Sequence, residues 1–567
     1  MTRAIRDIIR RALDAAAKDG EIKTERPAGK AGWLAVPIIV ERPKKEEFGD
    51  FSTNAAMLLA PLEGRPAREI ADALARRIAA DPSKNVSRCE VAGPGFINVF
   101  LEKSWWHERL KEMLEKGTGY GDTDIGAGKR VQVEFVSANP TGPLHIGHGR
   151  GAAVGDSLAN ILKAAGFEVT KEYYINDVGR QMQTLGESVR ARYIELCGLE
   201  TRFPEDGYKG EYVKEIARDY LERHGCGMTN QPSSTANRSA GEFQEFARGI
   251  MLERIKKDLA DFGVEFDVWK SEKALYESGL VGDTIEELKK RGHVYEGEGA
   301  VWFRTTAFKD DKDRVLVKAD GQMTYFASDI AYHREKVKRG FDRIVNVWGA
   351  DHHGYEARVR ALFKAFGHDE RMLKIIFIQL VALLRGGAPV AMGKREGEFV
   401  TLREVMDEVG KDATRFFFLM RKSDAHLDFD LELAKRQAPE NPVYYVQYCH
   451  ARIMSITAFA GEKGVSLPQS PDMEVLEKLE LKEETDIIKH LAAFEEVVEK
   501  SAVEMEPHRI TFYLTELAGL FHPYYNRNRV VTDDTETTFA RLFLCRAVAG
   551  VTRKGLGLLG VGAPVTM

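Results

Sequence analysis

The first 115 residues combine two kinds of hydrophobic spacing. Near the amino terminus the apolar residues recur at the spacing of an amphipathic helix, at Ile5, Ile8, Ile9 and Leu13. Apolar stretches at 33–43 and 91–101 are interrupted by proline and glycine and have the length of strands. This mixture predicts a separate α+β unit at the start of the chain.

A different pattern begins after the Gly- and Asp-rich stretch 117–130, which reads as a linker. The apolar run 131–137 predicts a buried strand, a loop and a helix follow, and 173–177 predicts the next strand. Strand, helix and strand at this spacing form a βαβ unit, which requires a parallel sheet. Further parallel strands are predicted at 341–349 and 373–384.

Helical periodicity dominates from about residue 436. In 475–505, for example, apolar residues recur at a spacing of 3.6 with charged residues between them, which predicts a carboxyl-terminal helix bundle. The small polar residues of 225–242 predict a surface insertion in the central region. No function is assigned to that insertion.

Composition narrows the class of protein. The 567 residues are 44% hydrophobic and 30% charged, which is ordinary for a globular protein of several domains. A net charge of −5 gives no global signature of nucleic-acid binding, so any such contact must use a local basic surface.

Membrane and disulfide classes are not indicated. The longest apolar stretch, 375–384, is too short to cross a bilayer, and Arg3, Arg6 and Arg10 interrupt any secretory signal. The five cysteines form no CxxC pair, so we expect neither a disulfide framework nor a zinc site. These features predict a reduced, cytoplasmic protein.

The most informative segment is 134–162, where a buried strand leads through Asn139-Pro140 and Gly142-Pro143 into a helix predicted to begin near Leu144. His145 and His148 would lie on one face of its first turn. Unsatisfied N–H groups at a helix start attract anions. The imidazoles can donate hydrogen bonds to phosphate oxygens, and glycines at 147, 149 and 151 let a nucleotide approach the backbone.

A resemblance now becomes specific. His145–His148 spells HIGH, the motif of class I aminoacyl-tRNA synthetases, and the longer segment resembles the arginyl-tRNA synthetase version. Five other segments agree with that family: YYINDVGRQ (173–181), TYFASDIAYH (324–333), VWGADHHGY (347–355), GKREGEFVTLREVMDEVG (393–410) and NPVYYVQYCHARI (441–453). The amino-terminal FGDFSTNAA is similar to the extra domain of the family.

The resemblance implies a multidomain α/β protein. It implies an amino-terminal α+β domain over 1–116 that contacts the outer corner of tRNA, a Rossmann-type parallel-sheet catalytic domain over 117–435, and an all-α anticodon-binding bundle over 436–567. The implied partners are ATP with Mg²⁺ as its counter-ion, L-arginine and arginine tRNA. No zinc is expected, and the protein is expected to be a monomer.

The implied phosphate residues are His145, His148 and Lys394. Lys394 lies in AMGKR (391–395), which replaces the second class I motif, KMSKS, and departs from it at Ala391 and Gly393. A mobile cation there would neutralise the departing pyrophosphate. The implied ATP-binding residues are Gly147, Gly149, Gly349, Asp351, His352 and Met392.

Arginine presents a planar fork of N–H donors, whose best partners are carboxylates. By resemblance Asp329 takes the guanidinium with Tyr325 nearby, while Glu134, Asn139 and Ser137 hold the α-amino end. The anticodon-binding residues expected to contact tRNA are Tyr444, Tyr448 and Arg452, which offer stacking faces and donors.

Two alternatives stay open. A HIGH-type nucleotidyltransferase that does not use tRNA would account for the histidines and glycines, but not for the terminal regions. A non-catalytic paralogue of a synthetase would account for the degenerate AMGKR segment, but not for the retention of His145, His148, Lys394 and Asp329.

Overall fold

The computed structural model describes residues 1–22, 37–43, 45–226, 239–390 and 400–567. The beginning of the strand expected at 33–43, most of the 225–242 insertion and the AMGKR segment therefore lie outside the described residues.

The amino-terminal unit is α+β, as predicted. Its strands form an antiparallel sheet in the order β1-β2-β4-β3, and the helices cover one another and the sheet. The amphipathic first helix buries Ile5, Ile8, Ile9 and Leu13. The elements are α1 (Thr2–Lys18), β1 (Val40–Glu41), β2 (Phe51–Thr53), α2 (Ala55–Glu63), α3 (Ala67–Ala79), β3 (Val86–Ala92), β4 (Phe96–Leu101) and α4 (Lys103–Lys116).

The central region is built on the parallel sheet that the βαβ pattern predicted, with strand order β12-β11-β5-β6-β7. The order reverses between β5 and β11, and α/β proteins bind ligands at the carboxyl ends of strands beside such a reversal. The elements are β5 (Arg130–Glu134), α5 (Ile146–Ala164), β6 (Glu168–Ile175), β7 (Val268–Ser271), α9 (Glu272–Glu277), α10 (Leu280–Lys290), α11 (Tyr325–Lys338), β11 (Arg343–Gly349), α12 (Glu356–Ala365) and β12 (Leu373–Ile378).

Two small sheets flank this frame. One is antiparallel and leads into α11, with strands β8 (Val294–Gly297), β9 (Ala300–Phe303) and β10 (Arg314–Val317). The other contains the second half of the 373–384 apolar run, which was expected in the parallel sheet but leaves it after Ile378. Its elements are β13 (Val381–Arg385), β14 (Ala388–Pro389), α13 (Leu402–Val409), α14 (Lys411–Leu419), β15 (Leu427–Asp430) and α15 (Leu431–Lys435).

The helices inserted between β6 and β7 are α6 (Arg180–Leu196), α7 (Glu211–His224) and α8 (Ala240–Asp261). Here the expectation of no disulfide is wrong, because Cys197 and Cys226 form one with their Cα atoms 5.8 Å apart. The ends of α6 and α7 meet, and the Tyr193 hydroxyl donates to the Gly225 carbonyl beside the bridge. A separation of 29 residues has no motif, so only the packing of the two helices reveals the pair.

The carboxyl-terminal region is helical throughout its regular elements, as the 3.6-residue spacing predicted. These are α16 (Pro442–Glu462), α17 (Met473–Leu476), α18 (Lys482–Ala492), α19 (Phe494–Glu504), α20 (His508–Arg527) and α21 (Thr535–Leu558). None of the helices in the described part of the chain has the length and apolar character required to cross a bilayer.

The amino-terminal unit docks on these carboxyl-terminal helices. The Thr2 backbone N–H donates to Glu496, and Lys489 pairs with Asp50 at 2.5 Å. The linker follows the same surface, since the Tyr120 hydroxyl donates to the Leu491 carbonyl at 3.1 Å. First and last domains are thus in direct contact.

Small residues on α5 serve packing. A Cβ placed on Gly149 would lie 2.6 Å from Leu402 Cδ1 and 3.0 Å from Phe418, and one on Gly155 would collide with the Phe135 ring. Gly149 was expected to make room for a nucleotide. The contacts show a packing role, because the buried glycine lets α13 and α14 approach α5.

We predict that Gly149→Ala lowers the free energy of unfolding by about 1–3 kcal/mol, the usual range for overpacking a core. Gly151→Ala is the matched control, since a Cβ there meets nothing within 4 Å. The control should be neutral or stabilising, because alanine favours a helix over glycine by about 1 kcal/mol. Urea unfolding of both variants measures the difference, and equal stabilities would contradict the packing role.

Candidate active site

The helix start at the end of the first parallel strand is capped by a histidine. His145 is the N-cap of α5 and not part of its first turn, which corrects the predicted start at Leu144. Its Nδ1 accepts hydrogen bonds from the N–H groups of Gly147 (3.1 Å) and His148 (3.3 Å). The His148 Nδ1 accepts in return from the His145 N–H at 3.3 Å. The rings stack with their centroids 3.6 Å apart.

This reciprocal capping determines the protonation of both rings. An Nδ1 that accepts a backbone N–H carries no proton, so the neutral ring holds its proton on Nε2. Burial lowers the pKa of His148 to about 3 and also lowers the pKa of His145. The pair therefore offers Nε2–H donors without net charge.

The capping arrangement also explains why a glycine, Gly147, stands between the two histidines. A Cβ on Gly147 would lie 3.0 Å from the His145 ring, so its absence lets the imidazole fold over the helix start. The positive end of the helix dipole and the two Nε2–H groups together suit a polyanion.

The loop between β5 and α5 is strained at its first turn. Val136 has φ 67° and Ser137 has φ 41°, a region rarely occupied by a β-branched residue such as valine. The Ser137 N–H donates to the Phe135 carbonyl at 2.9 Å and closes a γ-turn around Val136. Such strain persists where surrounding contacts hold it, often at functional sites.

Ser137 and Asn139 are held by neighbours. The Ser137 hydroxyl donates to Glu134 Oε1 at 2.9 Å and accepts from the Tyr174 N–H at 3.1 Å. The Asn139 amide donates to Gln181 Oε1. The three sequence-predicted residues Glu134, Ser137 and Asn139 are thus at the carboxyl end of β5, on the side facing β6.

A buried acidic pocket lies beside this loop. Asp329, on α11, accepts a hydrogen bond from the Tyr355 hydroxyl. Glu272, at the start of α9, is 1% exposed, and its Oε1 accepts from the Ser328 hydroxyl at 2.5 Å. Its Oε2 has no hydrogen-bond partner among the described residues. Neither carboxylate forms an ion pair with a described lysine or arginine.

Burial dominates the electrostatics of this pocket. It raises the pKa of Asp329 to about 6, with a smaller rise from Glu134, and it raises the pKa of Glu272 to about 7, with smaller rises from Asp329 and Asp177. The pocket therefore holds carboxylates that are costly to ionise until a cation joins them.

Sequence reasoning missed Glu272 and Tyr174. Glu272 follows the N-cap Ser271, where an acid ordinarily indicates a solvent-exposed helix start. The buried Tyr174 hydroxyl, close enough to Asp329, Glu272 and Glu134 for their charges to raise its pKa, has no hydrogen-bond partner among the described residues. Tyr325, predicted for this site, is 53% exposed with its hydroxyl against Gly179.

The remaining cleft residues follow β11. Gly349 ends that strand, and Asp351 and His352 lie exposed on the next turn. Asp351 is near enough to His145 for its charge to act on the imidazole pKa. A Cβ on Gly349 would collide with the Asp351 carboxylate. The strand end and the histidine pair thus share one cleft.

Lys394 and Met392 lie outside the described residues, but both flanks of their segment are held. The Val390 N–H donates to the Leu383 carbonyl at 2.9 Å. On the other side the Ile146 N–H donates to the Val400 carbonyl and the Leu402 N–H to the Leu144 carbonyl, at 3.3 and 2.8 Å. The second flank is therefore bonded directly to the histidine loop.

A separate aromatic surface lies on α16 and α20. The rings of Tyr444 and Tyr448 stack 5.7 Å apart, and Tyr448 stacks on His522 at 5.8 Å. The Arg452 guanidinium lies between the rings of Tyr448 and Tyr525, at 4.5 and 4.8 Å. Stacked rings with an arginine suit unpaired bases.

Three family models match the chain in order. They are the arginyl tRNA synthetase N terminal domain over residues 3–101, the catalytic domain of class I (R) tRNA synthetases over 109–428, and the DALR anticodon binding domain over 446–567.

Curated relatives match along nearly the whole length. The arginine–tRNA ligase of Citrifermentans bemidjiense is 52% identical over 94% of this chain and 95% of its own length. That of Desulfosudis oleivorans is 49% identical with both chains fully covered. The Thermus thermophilus arginyl-tRNA synthetase structure covers both chains fully, with a TM-score of 0.75 and 23% identity, which is a likeness of fold.

We predict that the His148 imidazole stays neutral, with its proton on Nε2, from pH 8 down to pH 5, because its pKa is about 3. Nitrogen-15 spectra of histidine-labelled protein distinguish the two ring nitrogens, and His148→Gln assigns the signal. A His148 ring protonated on both nitrogens at pH 6 would contradict the capping arrangement.

Proposed function

This chain belongs to the arginyl-tRNA synthetase family, and from that premise we propose how its residues perform the arginine–tRNA ligase reaction. Arginine is activated by ATP to arginyl-adenylate, and the arginyl group then passes to tRNA. The observation that carries the residue assignment is the pair of carboxylates, the half-buried Asp329 and the buried Glu272, beside a loop of hydrogen-bonding groups.

The amino acid lies across the carboxyl ends of β5 and β6. Asp329 and Glu272 bind the guanidinium. Its positive charge stabilises the two carboxylates, whose ionisation burial makes costly. The hydroxyl of Tyr355 orients Asp329, and Tyr325 closes the side toward Gly179. Asn139 and Ser137 hold the α-amino end, and Glu134 supports them by accepting the hydrogen bond of the Ser137 hydroxyl.

ATP lies over the start of α5 and the end of β11. His145 and His148 donate from Nε2 to phosphate oxygens, and Gly147 keeps the helix start accessible. Gly349 allows close approach of the nucleotide, Asp351 accepts from the ribose hydroxyls, and His352 and Met392 lie near the adenosine. Gly149 is left out of this set because it packs against Leu402.

The positive charge for the phosphates comes from elsewhere than the histidines. Lys394 supplies it to the β- and γ-phosphates from a segment whose far flank is bonded to the histidine loop. Mg²⁺ accompanies ATP as its counter-ion and further offsets charge on the departing pyrophosphate.

No protein nucleophile is required. The arginine carboxylate attacks the α-phosphate in line and pyrophosphate leaves, so the residues contribute orientation and stabilisation of charge. In the second step the 2′-hydroxyl of the terminal adenosine attacks the adenylate carbonyl carbon and AMP leaves.

The terminal regions address the tRNA. We assign 1–116 to its outer corner, 117–435 to catalysis and 436–567 to the anticodon, with Tyr444, Tyr448 and Arg452 as the contact surface. The family-model matches at both ends favour this assignment over a nucleotidyltransferase that does not use tRNA, and the relatives' names favour it over a non-catalytic paralogue. We further propose a cytoplasmic monomer without zinc.

We predict that Glu272→Gln raises the KM for arginine by about 10–100-fold while the KM for ATP changes by less than about threefold, because hydrogen bonds to a charged group contribute about 1.5–3 kcal/mol.

In the wild type the KM for arginine should rise about tenfold from pH 8 to pH 6. Carboxyls with pKa values near 7 and 6 become protonated there and no longer attract a cation.

Pyrophosphate exchange with saturating tRNA measures both constants. Glu277→Gln, an exposed acid at the other end of α9, is the control and should behave as the wild type. Charging with citrulline, which is uncharged, should be undetectable. Equal changes in the KM values for arginine and ATP would refute the guanidinium contact.

A second prediction concerns the aromatic surface. Tyr448→Ala should raise the KM for tRNA by about 5–100-fold, since stacking of one base contributes about 1–3 kcal/mol, and leave the KM for arginine unchanged. The control is Phe459→Ser on the same helix, where an aromatic ring is 48% exposed outside this surface. Aminoacylation at varied tRNA concentration decides, and identical behaviour of the two variants would exclude Tyr448 from the contact.

A further inference from the structure

A row of polar residues crosses the parallel sheet beneath α11. Asn346 on β11, Glu134 on β5 and Glu172 on β6 are register partners on adjacent strands. Their exposed fractions are 0%, 5% and 0%. Strands buried on both faces ordinarily carry apolar residues here, and buried charges are stable only when paired. The helix above must therefore supply the partners.

Helix α11 supplies two cations, one turn apart. Lys336, which is fully buried, pairs with Glu134 and donates to Asn346 Oδ1 at 2.9 Å. Arg339 donates to both oxygens of Glu172, at 2.6 and 3.0 Å. Two ion pairs thus hold α11 against the strand ends.

One branch from Lys336 leads to the loop after β5. The Glu134 oxygen that does not meet Lys336 accepts the Ser137 hydroxyl at 2.9 Å. Ser137 in turn accepts from the Tyr174 N–H. The pairing with Lys336 therefore sets the orientation of the carboxylate that orders Ser137.

The other branch leads from Lys336 to the Asp329 backbone through three hydrogen bonds, in which the donor and the acceptor of each are fixed. An ammonium only donates, so Asn346 Oδ1 accepts from Lys336 and Asn346 Nδ2 donates to His333 Nε2 at 2.9 Å. His333 then carries its proton on Nδ1 and donates it to the Asp329 carbonyl oxygen at 2.8 Å. Lys336 thus determines the amide orientation of Asn346 and the tautomer of His333.

We propose that Lys336 is a positioning residue for recognition of the amino acid, acting through Glu134 on the loop and through Asn346 and His333 on Asp329. The inference rests on the proposed arginine site and deepens it. Lys336 does not touch the substrate. It compensates Glu134, so that the negative charge remaining for a cationic substrate is that of Asp329 and Glu272.

The test uses the full chain with three variants. Lys336→Met removes the ammonium from a side chain of similar shape but leaves Glu134 buried without its partner. Lys336→Met combined with Glu134→Gln removes both charges, which restores the balance of the pair but not the direction of the chain through Asn346. Arg339→Met combined with Glu172→Gln is the matched control at the neighbouring pair.

Thermal unfolding and the KM values for arginine and ATP in pyrophosphate exchange are measured for each. We expect the Lys336/Glu134 double variant to unfold near the wild-type temperature, with the KM for arginine still raised about tenfold and the KM for ATP within about twofold. The Arg339/Glu172 variant should keep its KM for arginine.

Two results would overturn the inference. One is recovery of the wild-type KM for arginine in the Lys336/Glu134 double variant, which would leave Lys336 only a neutralising role. The other is an equal rise in the Arg339/Glu172 control, which would make the effect a general one of seating the helix. If the wild-type chain itself showed no arginine-dependent exchange, the proposed function would fail instead.

Discussion

Buried negative charge in excess of the cations that accompany it is the constraint on which the catalytic region depends. Four carboxylates meet under and beside α11, and Glu134 and Glu172 are paired with Lys336 and Arg339. Among the described residues, Asp329 and Glu272 accept side-chain hydrogen bonds from hydroxyl groups and form no ion pair. Because an isolated buried carboxylate is costly, a substrate that brings a cation is favoured over one that does not. On the proposed assignment, selectivity for arginine follows from the same charges that destabilise the empty pocket, and discrimination of this kind reaches about 10⁴–10⁵.

The cleft has a second half with opposite character. At the start of α5 the groups presented are imidazole N–H donors at the positive end of the helix dipole, because the Nδ1 atoms are occupied by capping. Cation-binding and anion-binding halves lie on the two sides of the strand-order reversal between β5 and β11. When the guanidinium of arginine is bound in the cation-binding half, the carboxylate of the same arginine can face the phosphate over the helix start. Adenylate formation requires this geometry.

Local sequence signals predicted most of the regular elements and the position of the histidine pair where β5 leads into α5. The spacing of strand, turn, histidines and helix lies within 30 residues, so HIGH and the βαβ unit could be read directly. The acidic half could be read only in part, because Glu272 comes from a helix start 57 residues before Asp329 and looks like a surface acid. The direction of the Lys336 chain and the Cys197–Cys226 bridge depend on contacts between distant segments and have no periodic signature. The capping role of His145 was missed because a histidine is an unusual N-cap residue.

The docking of the first domain on the last has a consequence for biosynthesis. Thr2 meets Glu496, 494 residues later, and the surface of α18 and α19 that receives the first domain emerges near the end of translation. At about 5–20 residues per second, the completed first domain waits on the order of 20–75 s for its binding surface. During that time its own sheet and helices must keep the first domain folded at the ribosome. Its contact with α18 and α19 forms only late in synthesis.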